Sequence, residues 1–135
     1  MKKLLGFLFL VAAMTLFMSS CEKSTPSKVY QGYVELLKKG DYKTFAQNFS
    51  VDDSLSAEDQ AKQVDLYESI ITDKVDKKLK EKEGLKDMQV LEETFSEDGN
   101  KATLKVKFIY GDGTEEESTQ EMVKQKGKWR MVFNK

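Results

Sequence analysis

Histidine is absent from this 135-residue chain, and arginine, cysteine, proline and tryptophan each occur once. Without histidine the chain lacks the side chain that most readily moves protons near neutral pH. A single arginine, Arg130, leaves little of the planar fork that grips phosphate at two points. A single cysteine, Cys21, rules out an internal disulfide, and zinc sites draw on several Cys and His ligands that are not present. An excess of one charge is missing too. Basic residues number 22 against 23 acidic ones, so no strong field steers nucleic acid to the surface. These absences thin the catalytic options, argue against a nucleic-acid partner and leave no motif that calls for a cofactor or metal. The length suits one domain with a single modest core.

What is present begins with an address. Lys2 and Lys3 precede the apolar stretch LLGFLFLVAAMTLFM, Leu4 to Met18, which ends in Ser19 and Ser20. These are the three regions of an export signal. As a helix the run is about 22 Å long, short against roughly 30 Å of bilayer hydrocarbon. A permanent spanning anchor is the alternative reading. Met18, Ser19, Ser20 and Cys21 together resemble the lipobox of bacterial lipoproteins, departing from it at Met18, where that family prefers leucine. The resemblance implies that the Cys21 thiol receives a diacylglyceryl group, that the signal is cut before it, and that the new amino terminus is acylated. Each buried methylene contributes about 0.8 kcal/mol, so two or three acyl chains hold a domain on a membrane durably. The expected organisation is a signal peptide over 1–20, a tether over 21–25 and one domain over 26–135. The expected location is the bacterial cell envelope, on the periplasmic or extracellular side. Removing Lys2 and Lys3 from a chain of net charge −1 leaves a domain of about −3.

The domain opens with helices. Thr25 followed by Pro26 is a helix start, with a capping oxygen and a proline in the first turn. Val29, Tyr30, Tyr33, Val34 and Leu37 then recur at helical spacing up to Gly40, where a left-handed stop belongs. Asp41 can cap a short second helix carrying Tyr42, Phe45 and Phe49. A third helix begins after Ser56, where SAED resembles a capping box, and its stripe is Ala61, Val64, Tyr67, Ile71, Val75 and Leu79. It can run to Glu83. The stretch KVDKKLKEKEG interleaves acids with lysines and reads as a solvated face.

From Met88 the period changes to two. Turn signals at EDGN, GDG and KG predict four strands over 88–95, 101–110, 115–125 and 128–133. Ala102, Leu104, Val106, Phe108 and Tyr110 share one face of the second strand. A two-residue turn at Asp112-Gly113 would set Leu104 opposite Glu121 and turn two carboxylates inward. A three-residue loop, with Gly113 left-handed, instead sets Leu104 opposite Gln120, Ala102 opposite Met122 and Val106 opposite Ser118. Only the second choice gives strands two to four a common apolar face, because the turn at Lys126-Gly127 then brings Met131 across from Met122. The first strand keeps two registers open. One turns Leu91, Glu93 and Phe95 inward; the other turns Met88, Val90, Glu92 and Thr94 inward.

Three helices followed by a four-stranded antiparallel meander resemble the nuclear transport factor 2-like fold. The residues that carry the likeness are VYQGYVELLKKGDYKTFAQNFS, ATLKVKFIYGDGTEEES and VKQKGKWRMVF, and they resemble a group of small bacterial lipoproteins with a domain of unknown function, sometimes labelled lumazine-binding-like. The resemblance implies an α+β, cystatin-like cone: N-terminal helices packed on a curved sheet whose open end often holds a ligand. Some relatives, SnoaL-like, are isomerases or cyclases that use an inward acid, histidine or arginine. Here only Glu92 or Glu93 offers such an acid, so binding or interaction ranks above catalysis. A small apolar ligand would meet Tyr33, Phe108, Tyr110, Met122 and Trp129, with Gln120 or Ser118 orienting a polar group. The same aromatics can instead simply fill the core. A third role is a homodimer or an envelope partner docked on the outer face of the sheet, through Thr103, Lys105, Lys107, Glu117, Glu121 and Arg130.

Overall fold

The computed structural model describes residues 25–133. The expected signal segment 1–20, the lipidation candidate Cys21 and the tether up to Ser24 lie outside the described residues.

Thr25 caps the first helix as its position suggests: its Oγ1 accepts a hydrogen bond from the Lys28 amide at 3.2 Å. Helix α1 (Pro26–Lys39) buries Tyr30, Tyr33, Val34 and Leu37 and stops at Gly40, whose φ of 80° is left-handed. Asp41 caps α2 (Tyr42–Ala46) by accepting from the Thr44 amide at 3.1 Å. Ser56 caps the long α3 (Ala57–Glu81) by accepting from the Asp59 amide at 3.1 Å. Of the expected stripe on α3, Tyr67 and Ile71 are buried, Val64, Val75 and Leu79 are half-buried, and Ala61 is exposed. The seam is thin, so tyrosines tie the helix down. The Tyr42 hydroxyl donates to Asp76 at 2.9 Å, the Tyr67 hydroxyl donates to the Ser50 carbonyl at 3.3 Å, and the Tyr67 ring stacks on Phe133 at 4.5 Å.

Strands β1 (Leu85–Phe95), β2 (Lys101–Tyr110), β3 (Glu115–Gln125) and β4 (Lys128–Met131) form one antiparallel sheet in the order β1-β2-β3-β4. The β2–β3 register is the three-residue-loop one: Ala102 faces Met122, Leu104 faces Gln120, Val106 faces Ser118, and Gly113 has φ 89°. Met122 faces Met131 across the next hairpin. Leu104, Val106, Met122 and Met131 are at most 1% exposed and form the floor on which α1 lies.

Four details depart from expectation. Strand β1 realises both registers in turn. Glu93 and Phe95 pair with Leu104 and Ala102, a bulge then lets Leu91 and Glu92 together oppose Lys105, and beyond it Val90 and Met88 pair with Val106 and Phe108. Glu92 is therefore on the outer face. Strand β1 also starts earlier, at Leu85, because a second bulge hides its period, and β4 ends at Met131. Phe49 sits past the end of α2, in a parallel bridge to Met131, with the Ser50 amide bonded to the Met131 carbonyl at 2.7 Å.

Candidate functional site

A groove of about 690 Å³ opens between α1 and the β3–β4 turn, within the usual range for small-molecule sites of about 300–1,000 Å³. Its floor is apolar and aromatic, made by Val29, Tyr33, Leu36 and Trp129. Its rim is basic, made by Lys28, Lys124 and Lys128. The fold puts these together for local reasons. Positions 29, 33 and 36 lie along one helical stripe, and Lys124 pairs directly with Trp129 across the β3–β4 ladder. Tyr33 pins the wall to the floor, since its hydroxyl donates to the Trp129 carbonyl at 2.7 Å. Burial pushes the Tyr33 phenol above its ordinary range, with Arg130 pulling against that shift, so it stays a neutral donor. The Lys124 ammonium lies 5.3 Å from the centre of the Trp129 ring, on its face.

Gly32 completes the wall. It sits mid-helix, where glycine costs roughly 0.5–1 kcal/mol relative to alanine, yet a Cβ placed there would meet nothing within 4 Å. No packing requirement explains the missing side chain. Its effect is to leave bare backbone facing the groove. Among the described residues no carboxylate lines the groove and none of its three lysines forms an ion pair.

The opposite end of the sheet is built differently. There Glu116 accepts from Lys78 and from the Tyr110 hydroxyl, each at 2.6 Å. The Lys78 hydrogen bond, then the Tyr110 one, holds the Glu116 carboxyl below the usual carboxylate range. Burial first, and then the Glu116 carboxylate, pushes the Tyr110 phenol well up. The β2–β3 loop docks on the chain leaving α3: the Gly111 amide donates to the Gly84 carbonyl at 2.8 Å, and the Asp112 amide to the Lys82 carbonyl at 3.0 Å.

The six residues expected around a ligand are thus spread out, with Tyr33 on α1 and the other five along the inner face of the sheet. Tyr33 and Trp129 belong to the groove. Met122 is buried beneath α1, and Gln120 donates to the Val132 carbonyl at 3.0 Å. Phe108 and Tyr110 lie toward the closed end, their ring centres 6.5 Å apart. Glu93 does face inward, but at the exposed sheet end, where it accepts from the Ser27 amide at 3.0 Å and the Ser27 hydroxyl at 2.7 Å. It satisfies the first turn of α1. On the outer face Thr103 pairs with Glu121 and Lys107 with Glu117, Lys105 opposes Thr119, and Arg130 reaches the Gln47 carbonyl at 3.0 Å. Lys28, Gly32, Leu36 and Lys128 were not singled out from sequence, although Lys28, Gly32 and Leu36 share an i, i+4 row. Among the described residues no group of acidic, Cys or His side chains could hold a metal ion, and no helix is long and apolar enough to cross a membrane.

No curated protein matches the sequence. A crystal structure from Campylobacter jejuni, of a protein provisionally named an NTF2-like transpeptidase, matches with a TM-score of 0.67 at 21% identity, covering 82% of this chain and 100% of that one. At that identity the likeness speaks for the fold alone, and the fold is NTF2-like. The family described as Domain of unknown function (DUF4878) matches residues 19–132, nearly the whole chain, and the chain belongs to that family.

Proposed function

We propose that the chain is a lipid-anchored protein of the bacterial cell envelope, held on the periplasmic or extracellular side through Cys21, whose NTF2-like domain binds a ligand without catalysing a reaction. The observation that carries the binding role is the groove between α1 and the β3–β4 turn, which combines an aromatic floor, three lysines outside any ion pair among the described residues, and a helical glycine with open space beside it. The anchor is supported by the lipobox-like MSSC and the signal-length run before it.

The non-catalytic reading is supported by where the acids lie. Glu93 is engaged in the first turn of α1, Glu92 opposes Lys105 on the outer face, and Glu116 is held by Lys78 and Tyr110. None faces the groove. The transpeptidase name of the Campylobacter protein carries little weight here, because acyl transfer asks for a nucleophile activated by a neighbouring base. The described serines that contact carboxylates do so in caps and turns: Ser27 with Glu93, Ser54 with Asp52, and Ser96 with Asp98.

A second reading, association through the outer face of the sheet, is favoured by Leu91, 44% exposed at the β1 bulge beside a face of mixed charge. Two measurements test these proposals. Cys21→Ser should release the protein from the membrane fraction and abolish the acyl mass increment; unchanged partitioning would favour a spanning anchor. Native mass spectrometry of protein purified from its host should show a retained small molecule. A bare dimer would favour the sheet interface instead.

A further inference from the structure

Resting on the reading of the groove as a binding site, we propose that its ligand is an anionic amphiphile, a single molecule with a phosphate or carboxylate head and an apolar chain. Head and chain would meet different residues, adjoining where Lys124 lies over the Trp129 ring. Lys28 stands in the first turn of α1, while Lys124 at the end of β3 and Lys128 at the start of β4 flank the β3–β4 turn, so lysines from three elements line one opening. No carboxylate shares that opening, so an incoming anion would be the first counter-charge these lysines meet among the described residues. Lysine suits this role as a mobile point charge, since one anion can be met by several flexible stems without a fixed fork.

The chain has an apolar lane. Val29 and Leu36 are half-buried, Tyr33 and Trp129 are buried and line the groove, and Gly32 adds no side chain to the lining. The missing Cβ is the most informative part. A small hydrophilic anion would need only the lysines, whereas a bare helix backbone beside an aromatic floor admits a methylene chain in close contact. A neutral apolar ligand, in turn, would leave Lys28 and Lys128 without a counter-charge among the described residues.

Trp129 is the only tryptophan in the chain, so its emission reports on this groove directly. The test uses the full chain and dodecyl phosphate, neutral dodecyl maltoside and inorganic phosphate, each below micelle formation. Isothermal calorimetry serves as a readout independent of the indole. Dodecyl phosphate should shift Trp129 emission saturably and bind about tenfold more tightly than dodecyl maltoside, while inorganic phosphate leaves emission unchanged. The double charge reversal Lys124→Glu with Lys128→Glu should remove that preference, about tenfold. Equal affinity for the neutral and anionic probes, or a preference that survives the charge reversal, would overturn the proposal. A stronger response to phosphatidylglycerol vesicles than to monomeric dodecyl phosphate would overturn it in favour of a bilayer surface. A retained ligand of another class in native mass spectrometry would overturn the amphiphile but leave the binding-domain reading intact. Silence with every probe and no retained ligand would sink both.

Discussion

The two ends of the sheet treat their charges in opposite ways. At the β2–β3 end, Lys78 is consumed by Glu116, Glu116 also holds Tyr110, and the backbone at Gly111 and Asp112 is bonded to the residues that follow α3. At the β3–β4 end, lysines gather around an aromatic floor with no acid beside them among the described residues, and the helix wall lacks a side chain where there is room for one. The first end closes the fold on itself. The second leaves its lysines outside any ion pair among the described residues, and a candidate site is more readily recognised by such unmet chemistry than by the presence of aromatics, which both ends have.

That contrast is breakable in order of expected effect. Gly111 should be the most sensitive position, because a Cβ there would lie 2.0 Å from the Glu83 carbonyl oxygen, a backbone atom that cannot swing aside. Gly111→Ala should cost about 2–3 kcal/mol in urea denaturation, within the range for overpacking, and leave amphiphile binding in the surviving folded fraction unchanged. A loss below the error of the measurement would mean that the closed end is not rigid.

The Lys78, Glu116 and Tyr110 cluster sharpens the comparison through pH. Glu116 titrates below its ordinary value of 4.5, so its contribution is present above that value and disappears as pH falls through the lower folded-state value. Glu116 and Lys78 are both substantially exposed, so the contribution should be about 1 kcal/mol. Glu116→Gln should therefore lower stability near pH 7 by about that amount and match the parent chain at strongly acid pH. An equal deficit at both pH values would assign the loss to packing rather than to the ion pair.

Gly32→Ala, at the open end, should act in the opposite direction, raising stability by roughly 0.5–1 kcal/mol, since the helix gains and nothing is in the way. A destabilised protein would mean that the wall is already in contact. The smallest effect belongs to Glu93→Gln, which weakens the first turn of α1 by about 0.5 kcal/mol and should leave binding untouched. A change in binding would return Glu93 to the list of functional residues.

Much of this architecture was legible because the decisive residues were locally unambiguous. Thr25-Pro26, Asp41 and Ser56 mark helix starts by capping chemistry that acts within one turn. Met122 decided the β2–β3 register, since only a three-residue loop brings it inside beside Met131. Strand β1 resisted for a physical reason. Alternation assumes one register along a strand, and the bulge at Leu91 makes each candidate register correct over half its length. The site was harder still. A list of Tyr33 with Phe108, Tyr110, Gln120, Met122 and Trp129 gives no hint that α1 covers the middle and leaves one end open. Lys124 follows the inward Met122 by two residues and so shares its face, but Lys28, Gly32 and Lys128 acquire meaning only when α1 is laid beside the β3–β4 turn. The glycine has no signature of its own, because an isolated helical glycine reads as a mild defect.

The claim that one end is kept open for a ligand is tested most directly by filling it. Gly32→Leu places a strong helix former where no atom lies within 4 Å of the added Cβ, so the chain should fold with unchanged or raised thermal stability. The Trp129 emission shift with dodecyl phosphate should fall by about tenfold in affinity or vanish. A Gly32→Leu protein that is equally stable and still binds dodecyl phosphate with parental affinity would contradict the account.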